Sequence, residues 1–158
     1  MAIETEVKIQ VDDETFNRVH NYLDKPKFYT QRNIVYMLGS TVMRYRDENG
    51  HTLFTLKGPR QDQEITKREE IESELTWKMF SSFDKAKQLM PGAFYYEKLR
   101  ATTRIPYCII CFDILENGSK YIELEGEEDE IIRHRKNLGL QDFPIEKRNY
   151  QELLGWKK

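Results

Sequence analysis

Polar or charged side chains two residues apart recur in six segments of this chain. Glu4, Glu6 and Lys8 open it in I-E-T-E-V-K-I. Arg44 and Arg46, Thr55 and Lys57, Glu70 and Glu72, Lys98 and Arg100, and Glu123 and Glu125 follow. Apolar residues largely fill the positions between. Successive side chains of an extended chain point to opposite faces, so each pair shares one face of a strand. One such strand is an ordinary half-wet edge. Six together are the pattern of one polar cavity, and a cavity lined with charge is costly unless it holds water and a partner.

Two kinds of chemistry meet in that set. Lys8, Arg44, Arg46, Lys57, Lys98 and Arg100 suit a compact polyanion, because the guanidinium fork matches phosphate oxygens in pairs and an ammonium acts as a point charge. So many cations exceed what a monophosphate needs and suit a triphosphate. Glu4, Glu6, Glu70, Glu72, Glu123, Glu125 and Asp113 supply hard oxygens for Mg²⁺ or Mn²⁺, ions usually held by a few carboxylates together with substrate phosphates. A metal held this way polarises a phosphoryl oxygen and orients water. Asp113 stands between Phe112 and Ile114, so it must face water, a metal or a basic partner. Taken singly, Arg44-x-Arg46 beside a turn, or Glu123-x-Glu125 beside the acidic run Glu127 to Glu130, reads as solvated surface.

Other chemistries find little support. His20, His51 and His134 are scattered, which is poor for soft metals. Cys108 and Cys111, three apart in a strand-like run, point to opposite faces and read as buried free thiols. There is no GxxxxGK[ST] loop, and no Ser or Cys is paired with a base. Tyr36, Tyr95 and Tyr121 read as packing. Arg104 shares parity with Lys98 and Arg100, but Pro106 could end the strand first, so its placement stays open.

The elements that position these groups follow from turn and capping signals. Asp12 caps a helix whose packing face is Phe16, Val19 and Leu23, ended by Lys25-Pro26-Lys27. Strands are expected over 28–38, 41–47 and 51–57, the last two joined at Asn49-Gly50, a strong hairpin signal. A polar loop covers 58–66 and a strand 67–75. A helix is expected over Thr76–Met90, with Phe80, Phe83, Lys87 and Met90 as its stripe. Strands follow from Ala93 to Ile105, over 108–115, and over 120–125 after a second Asn-Gly turn. Helices close the chain over 127–138, before Gly139, and near 149–154. About eight strands with hairpin-length connections imply an α+β fold: an eight-stranded antiparallel β-barrel with helices packed outside.

The totals agree. The 158 residues fit one domain spanning 1–158. With 25 basic and 27 acidic residues and a net charge of -2, no clustered positive field speaks for nucleic acid. No basic start leads into an apolar run, and no apolar stretch reaches membrane-spanning length. A cytoplasmic location without membrane partners is the expectation; a homodimer is kept as an option.

These residues, in this order, resemble the CYTH domain superfamily, the triphosphate tunnel metalloenzymes, over nearly the whole chain. Glu4-x-Glu6-x-Lys8 looks like its N-terminal signature. Arg44-x-Arg46 and Lys57 resemble its phosphate-binding groups, Glu70-x-Glu72 the middle acidic pair, and Lys98-x-Arg100 the later basic pair. Asp113 and Glu123-x-Glu125 resemble its last acidic groups. K-R-N-Y-Q-E-L-L resembles the closing segment of the bacterial cyclase-like branch. The resemblance implies the triphosphate tunnel fold, with Mg²⁺ or Mn²⁺ held by acids and a small-molecule triphosphate gripped by bases. Glu4, Glu6, Lys8 and Lys57 would be catalytic. Hydrolysis by a metal-oriented water attacking the terminal phosphorus is the first expectation. Conversion of ATP to cyclic AMP and pyrophosphate, as in class IV adenylate cyclases, is the alternative, and a non-catalytic polyphosphate-binding module the third.

Overall fold

A computed structural model describes residues 2–61, 63–75 and 83–156. The strands are β1 (Ala2–Val11), β2 (Tyr29–Leu38), β3 (Thr41–Glu48), β4 (His51–Lys57), β5 (Thr66–Glu74), β6 (Phe94–Ile105), β7 (Cys108–Leu115) and β8 (Lys120–Gly126). They close into a barrel in the order β1-β5-β4-β3-β2-β6-β7-β8, every pairing antiparallel. The helices are α1 (Asp13–Tyr22), α2 (Phe83–Leu89), α3 (Glu128–Asn137) and α4 (Tyr150–Leu153). None of the described helices is long and apolar enough to cross a membrane.

The barrel is built inside out relative to an ordinary core. Its largest apolar cluster lies on the outer wall, where Val7, Ile9, Ile110, Phe112, Ile122 and Leu124 are buried under Phe16 and Val19 of α1 and Ile131 of α3. Phe16 meets Phe112 edge-on, ring centroids 5.6 Å apart. Burying each of these large side chains contributes about 1.5–3 kcal/mol, which lets the inner wall carry charge. The helix caps follow the sequence: Asp12 accepts from the Thr15 amide at 2.7 Å. α1 stops at Tyr22, ahead of Pro26, because Asp24 and Lys25 adopt left-handed φ values of 62° and 48°.

A smaller patch covers β2 and β3, where Ile34 and Tyr45 pack on Phe83 and Ala86 of α2. Within the helix expected over Thr76–Met90, residues 76–82, Phe80 among them, lie outside the described residues. Lys87 does not belong to the packing stripe: it is exposed, its ammonium lying 4.9 Å from the Tyr95 ring centre, and Ala86 takes the buried position. Cys108 and Cys111 are free and buried on opposite sides of β7, Cys108 in the outer cluster and Cys111 beside Thr102. Burial pushes both thiols up to about 11.

Register decides which side chains share the interior, since directly opposed residues of an antiparallel pair project to the same face. Glu4 faces Arg68, Glu6 faces Glu125, and Lys8 faces Glu123. Lys57 faces Glu70 and Thr55 faces both Arg44 and Glu72. Arg46 faces Asn33, which faces Tyr96, and Arg100 faces Asp113. The alternation read from the sequence is thus continuous around the ring.

Candidate active site: a charged tunnel

A cavity of about 300 Å³ occupies the barrel interior. Glu4, Glu6, Lys8, Arg44, Arg46 and Lys57 border it, as do Glu70, Glu72, Lys98, Arg100, Glu123 and Glu125. Every sequence-predicted site residue except Asp113 therefore reaches one enclosed space. Arg104 has tunnel parity, and β6 does continue past it to Ile105, but its side chain is exposed at the barrel rim. Tyr121 packs against Tyr150, and Tyr95 donates to the Met90 carbonyl at 2.7 Å, as packing residues should.

The β1–β5–β4 wall is a mesh of ion pairs. Lys57 Nζ donates to both Glu4 oxygens, at 2.7 and 2.9 Å, and lies 3.3 Å from Glu70. Arg68 donates to Glu4 at 3.1 Å and lies 3.6 Å from Glu6. Arg44 reaches Glu72 at 3.4 Å, and Thr55 donates to the same carboxylate at 2.8 Å. Glu6 and Glu125 gain less. Burial, reinforced by Glu4 and Glu123, raises Glu6 above the usual carboxylate range. Burial, then Glu4, Glu6 and Glu123, raises Glu125 to about 7. This is a pocket of incompletely offset negative charge.

The β6–β7–β8 wall is organised by Asp113, which has no exposed surface. Arg100 grips it from Nε at 2.7 Å and Nη2 at 2.5 Å, Lys98 donates at 3.1 Å, and the Tyr150 hydroxyl donates at 2.5 Å. Arg100 also bridges to Glu123 at 2.6 Å. Burial opposes ionisation of Asp113 and Glu123, yet Arg100 and Lys98 outweigh it and hold both below the usual range. Lys98 is lowered to about 7 by burial and by Arg100, against the pull of Asp113. A bound anion beside it would restore its charge. Asp113 thus holds cations behind the tunnel surface, with both oxygens occupied. That is not the cavity-facing metal-ligand position the sequence suggested for it.

Arg46 is different. It is 6% exposed, its one hydrogen bond among the described residues runs from Nε to Asn33 Oδ1 at 2.7 Å, and no described carboxylate lies within ion-pair distance. Burial, then Arg44 and Arg100, lowers it to about 10. It remains a cation at neutral pH, desolvated and, among the described residues, in direct ion-pair contact with no carboxylate.

The family model of the CYTH domain matches residues 2–137. The chain belongs to the CYTH domain family. A Methanocaldococcus jannaschii protein whose name proposes adenylate cyclase activity is 27% identical over 180 residues, across 97% of this chain and 99% of its own. A Pyrococcus horikoshii OT3 structure superposes with a TM-score of 0.78 at 21% identity, over 95% of this chain and 98% of that one. A Hippeastrum protein is described as showing dominant triphosphatase activity, although its name proposes an adenylyl cyclase. It matches at a TM-score of 0.68 and 15% identity, over 95% of this chain and 94% of its own. Both structural likenesses establish the fold alone.

The donor set of this CYTH chain fits a hard divalent cation in chemistry. Glu6 and Glu125 are direct cross-strand partners with raised pKa values, the condition a cation relieves. Among the described residues no three Asp, Glu, His or Cys side chains converge in a ligating group. A hard cation held here would draw only part of its coordination shell from these carboxylates, as is usual for Mg²⁺. Replacing Glu125 by glutamine tests the crowding. In the metal-free protein a raised carboxylate contributes stability that is lost as pH rises through its folded value of about 7. Parent and Glu125→Gln should melt alike near pH 4, below the ordinary carboxylate value of 4.5. At pH 8 the variant should be more stable by about 1–2 kcal/mol, after discounting for residual solvation, a rise of roughly 3–6 °C in thermal melts.

Arg68, Tyr96, Arg60 and Tyr150 are among the tunnel residues that escaped the sequence reading. Arg68 and Tyr96 share strand parity with Glu70 and Lys98, so extending each pair one step would have found them. Arg60, in the loop after β4, and Tyr150 lie outside any strand and carry no periodic signal.

Proposed function

We propose that this CYTH protein is a divalent-metal-dependent triphosphatase that hydrolyses the terminal phosphoanhydride of a small-molecule triphosphate. The observation that carries this reading is the charge balance of the tunnel. Among the described residues nine basic and seven acidic side chains line it, a formal excess of two positive charges. A nucleoside triphosphate with one divalent cation carries about two negative charges at neutral pH and complements that excess. The Hippeastrum protein described above, of the same fold and with dominant triphosphatase activity, supports the reading.

Arg46 and Arg44 offer forked donors to non-bridging phosphoryl oxygens, and Lys8, Lys98 and Arg100 add charge from the adjoining wall. Glu6 and Glu125, with the neighbouring tunnel carboxylates, would hold a divalent cation, which would supply Lewis-acid polarisation of a phosphoryl oxygen and activation of water. Glu4 and Glu70 fix the Lys57 ammonium, so its charge is in place before substrate arrives. Preorganised charge of this kind is where most rate enhancement in phosphoryl transfer arises. Water adds to the terminal phosphorus, the bond to the bridging oxygen breaks, and phosphate leaves with the shortened diphosphate product. The basic wall offsets the charge that moves onto the leaving oxygen.

The second reading is adenylate cyclase, favoured by the name of the Methanocaldococcus jannaschii relative. In it the ribose 3′-hydroxyl of ATP attacks the α-phosphorus and pyrophosphate leaves. Purified protein assayed on tripolyphosphate, ATP and thiamine triphosphate, with Mg²⁺ or Mn²⁺ titrated in, separates the two. Phosphate release that a chelator abolishes is the expected outcome. Pyrophosphate with cyclic AMP would establish the cyclase instead, and binding without turnover would leave a polyphosphate-binding module.

A further inference from the structure

On the outer side of β1, where α3 meets residues 63–65 and 141–145, lies a second cavity of about 470 Å³, larger than the tunnel. One stripe of α3 lines it: Glu128, Ile131, Ile132 and Arg135, spaced i, i+3, i+4 and i+7 and therefore on one helix face. Val7, Ile65 and Ile145 complete an apolar floor with the two helix isoleucines. All five side chains are β-branched and stiff at χ1, so the floor keeps its shape without an occupant. Glu128 and Arg135 stand two helical turns apart, which makes the slot about 10 Å long. A preformed cavity of several hundred Å³, apolar within and carrying a few polar groups, is the usual form of a small-molecule site.

The rim decides the charge of the occupant. Gln63 and Gln141 are neutral, and Glu128 is committed to Lys67, which reaches it from β5. Arg135 is the one cation on the rim among the described residues, and it is incompletely paired. Its Nη2 donates to the carbonyls of Gln141 at 3.3 Å and Phe143 at 3.0 Å. Nη1 reaches Glu64 at 3.4 Å, a carboxylate 74% exposed, and Nε is a buried polar atom without a hydrogen-bond partner among the described residues. A guanidinium carries five donors, and an ion pair to a well-solvated carboxylate is worth little. A carboxylate brought in on an aliphatic chain would replace Glu64 with a drier, charge-assisted pair, which holds more strongly.

We propose that this cleft is a second ligand site, separate from the tunnel, which takes a linear aliphatic monocarboxylate of medium chain length. The chain lies on the Val7–Ile65–Ile131–Ile145 floor under Ile132, and the carboxylate sits on the Arg135 guanidinium in place of Glu64. An extended octanoate is of the length of the slot. The site needs neither polyphosphate binding nor turnover. It does lie one strand away from both, since Val7 turns outward to the cleft between Glu6 and Lys8, which turn inward to the tunnel.

Calorimetric titration of the intact protein with hexanoate, octanoate and octylammonium reads chain and head separately. Octanoate should bind about fifteenfold more tightly than hexanoate, because each buried methylene is worth about fourfold in affinity. Octylammonium should bind at least tenfold more weakly than octanoate. Glu64→Gln removes the competing carboxylate and should tighten octanoate about three- to tenfold. Ile132→Glu should weaken it at least tenfold while melting within a few degrees of the parent, since Ile132 is 52% exposed and Lys136 stands four residues on to pair with the new acid. Octylammonium binding as tightly as octanoate would overturn the assignment of an acid, as would an unchanged affinity in Glu64→Gln. No binding of octanoate at millimolar concentration would remove the site. Loss of octanoate affinity in Arg46→Ala would place the ligand in the basic tunnel instead, and a dimer that Ile132→Glu splits into monomers would make the cleft an interface between copies. Each of these results leaves the metal-dependent release of phosphate untouched, so the two readings fail separately.

Discussion

Arg46→Ala protein will fold, melt within a few degrees of its parent, and lose roughly a hundredfold in affinity for tripolyphosphate. The two halves of that expectation have one cause. Arg46 is buried against like charge, with Arg44 and Arg100 outweighing the pull of Glu48 and, among the described residues, only the neutral Asn33 amide as a hydrogen-bond partner. Removing it deletes one hydrogen bond to a neutral acceptor, worth about 1 kcal/mol, and relieves repulsion of comparable size. In the complex the same guanidinium would contribute charge-assisted bonds to phosphoryl oxygens, each worth about 1.5–3 kcal/mol, and such bonds are frequently paired. Calorimetric titration beside a ligand-free melt reads both. A large fall in melting temperature would mark Arg46 as structural, and unchanged affinity would remove it from the phosphate grip. Arg100→Ala is the control with opposite character, since it strips Asp113 and Glu123 of their main counter-ion.

The sequence carried the inner wall well because period-2 alternation survives wherever one face of a strand is wet. Glu4, Arg46 and Glu125 come from three separate strands, yet they border one cavity. Legibility failed where the alternation failed. In K-R-E-E charge falls on both faces: Lys67 turns outward to pair with Glu128 while Arg68 turns inward to Glu4, and composition alone does not separate them. In C-I-I-C-F-D-I-L nearly every position is buried, so Asp113 stood out as an acid but its partner did not. A carboxylate beside a metal and one beside two buried cations look alike in one dimension. Tyr150 and Gln151 reach the tunnel from a four-residue helix at the far end of the chain, through contacts such as Tyr150 to Asp113 that no local spacing encodes.

Asp113 is therefore the residue whose loss should cost the fold most. Asp113→Asn keeps the shape but removes the charge that Arg100 and Lys98 share, and it points an amide N–H at groups that are themselves donors. Glu123 remains as a partner for Arg100, whereas Lys98, 3% exposed and already lowered to about 7, loses its nearest carboxylate. Breaking a buried ion pair on one side typically costs 3–5 kcal/mol, a large share of the ~5–15 kcal/mol that holds an average domain together. The expected fall in melting temperature at pH 7 is roughly 10 °C. The carboxyl is held below its ordinary range, so its contribution is fully present at neutral pH and disappears only on strong acidification. The gap between parent and variant should therefore close as the pH is lowered. Adding Lys98→Met to Asp113→Asn should recover part of the loss, because it removes the cation left unpaired. A double variant as unstable as the sum of the two single changes would show that Asp113 and Lys98 do not act as a unit. An Asp113→Asn protein melting like its parent would show that the carboxylate holds nothing in place.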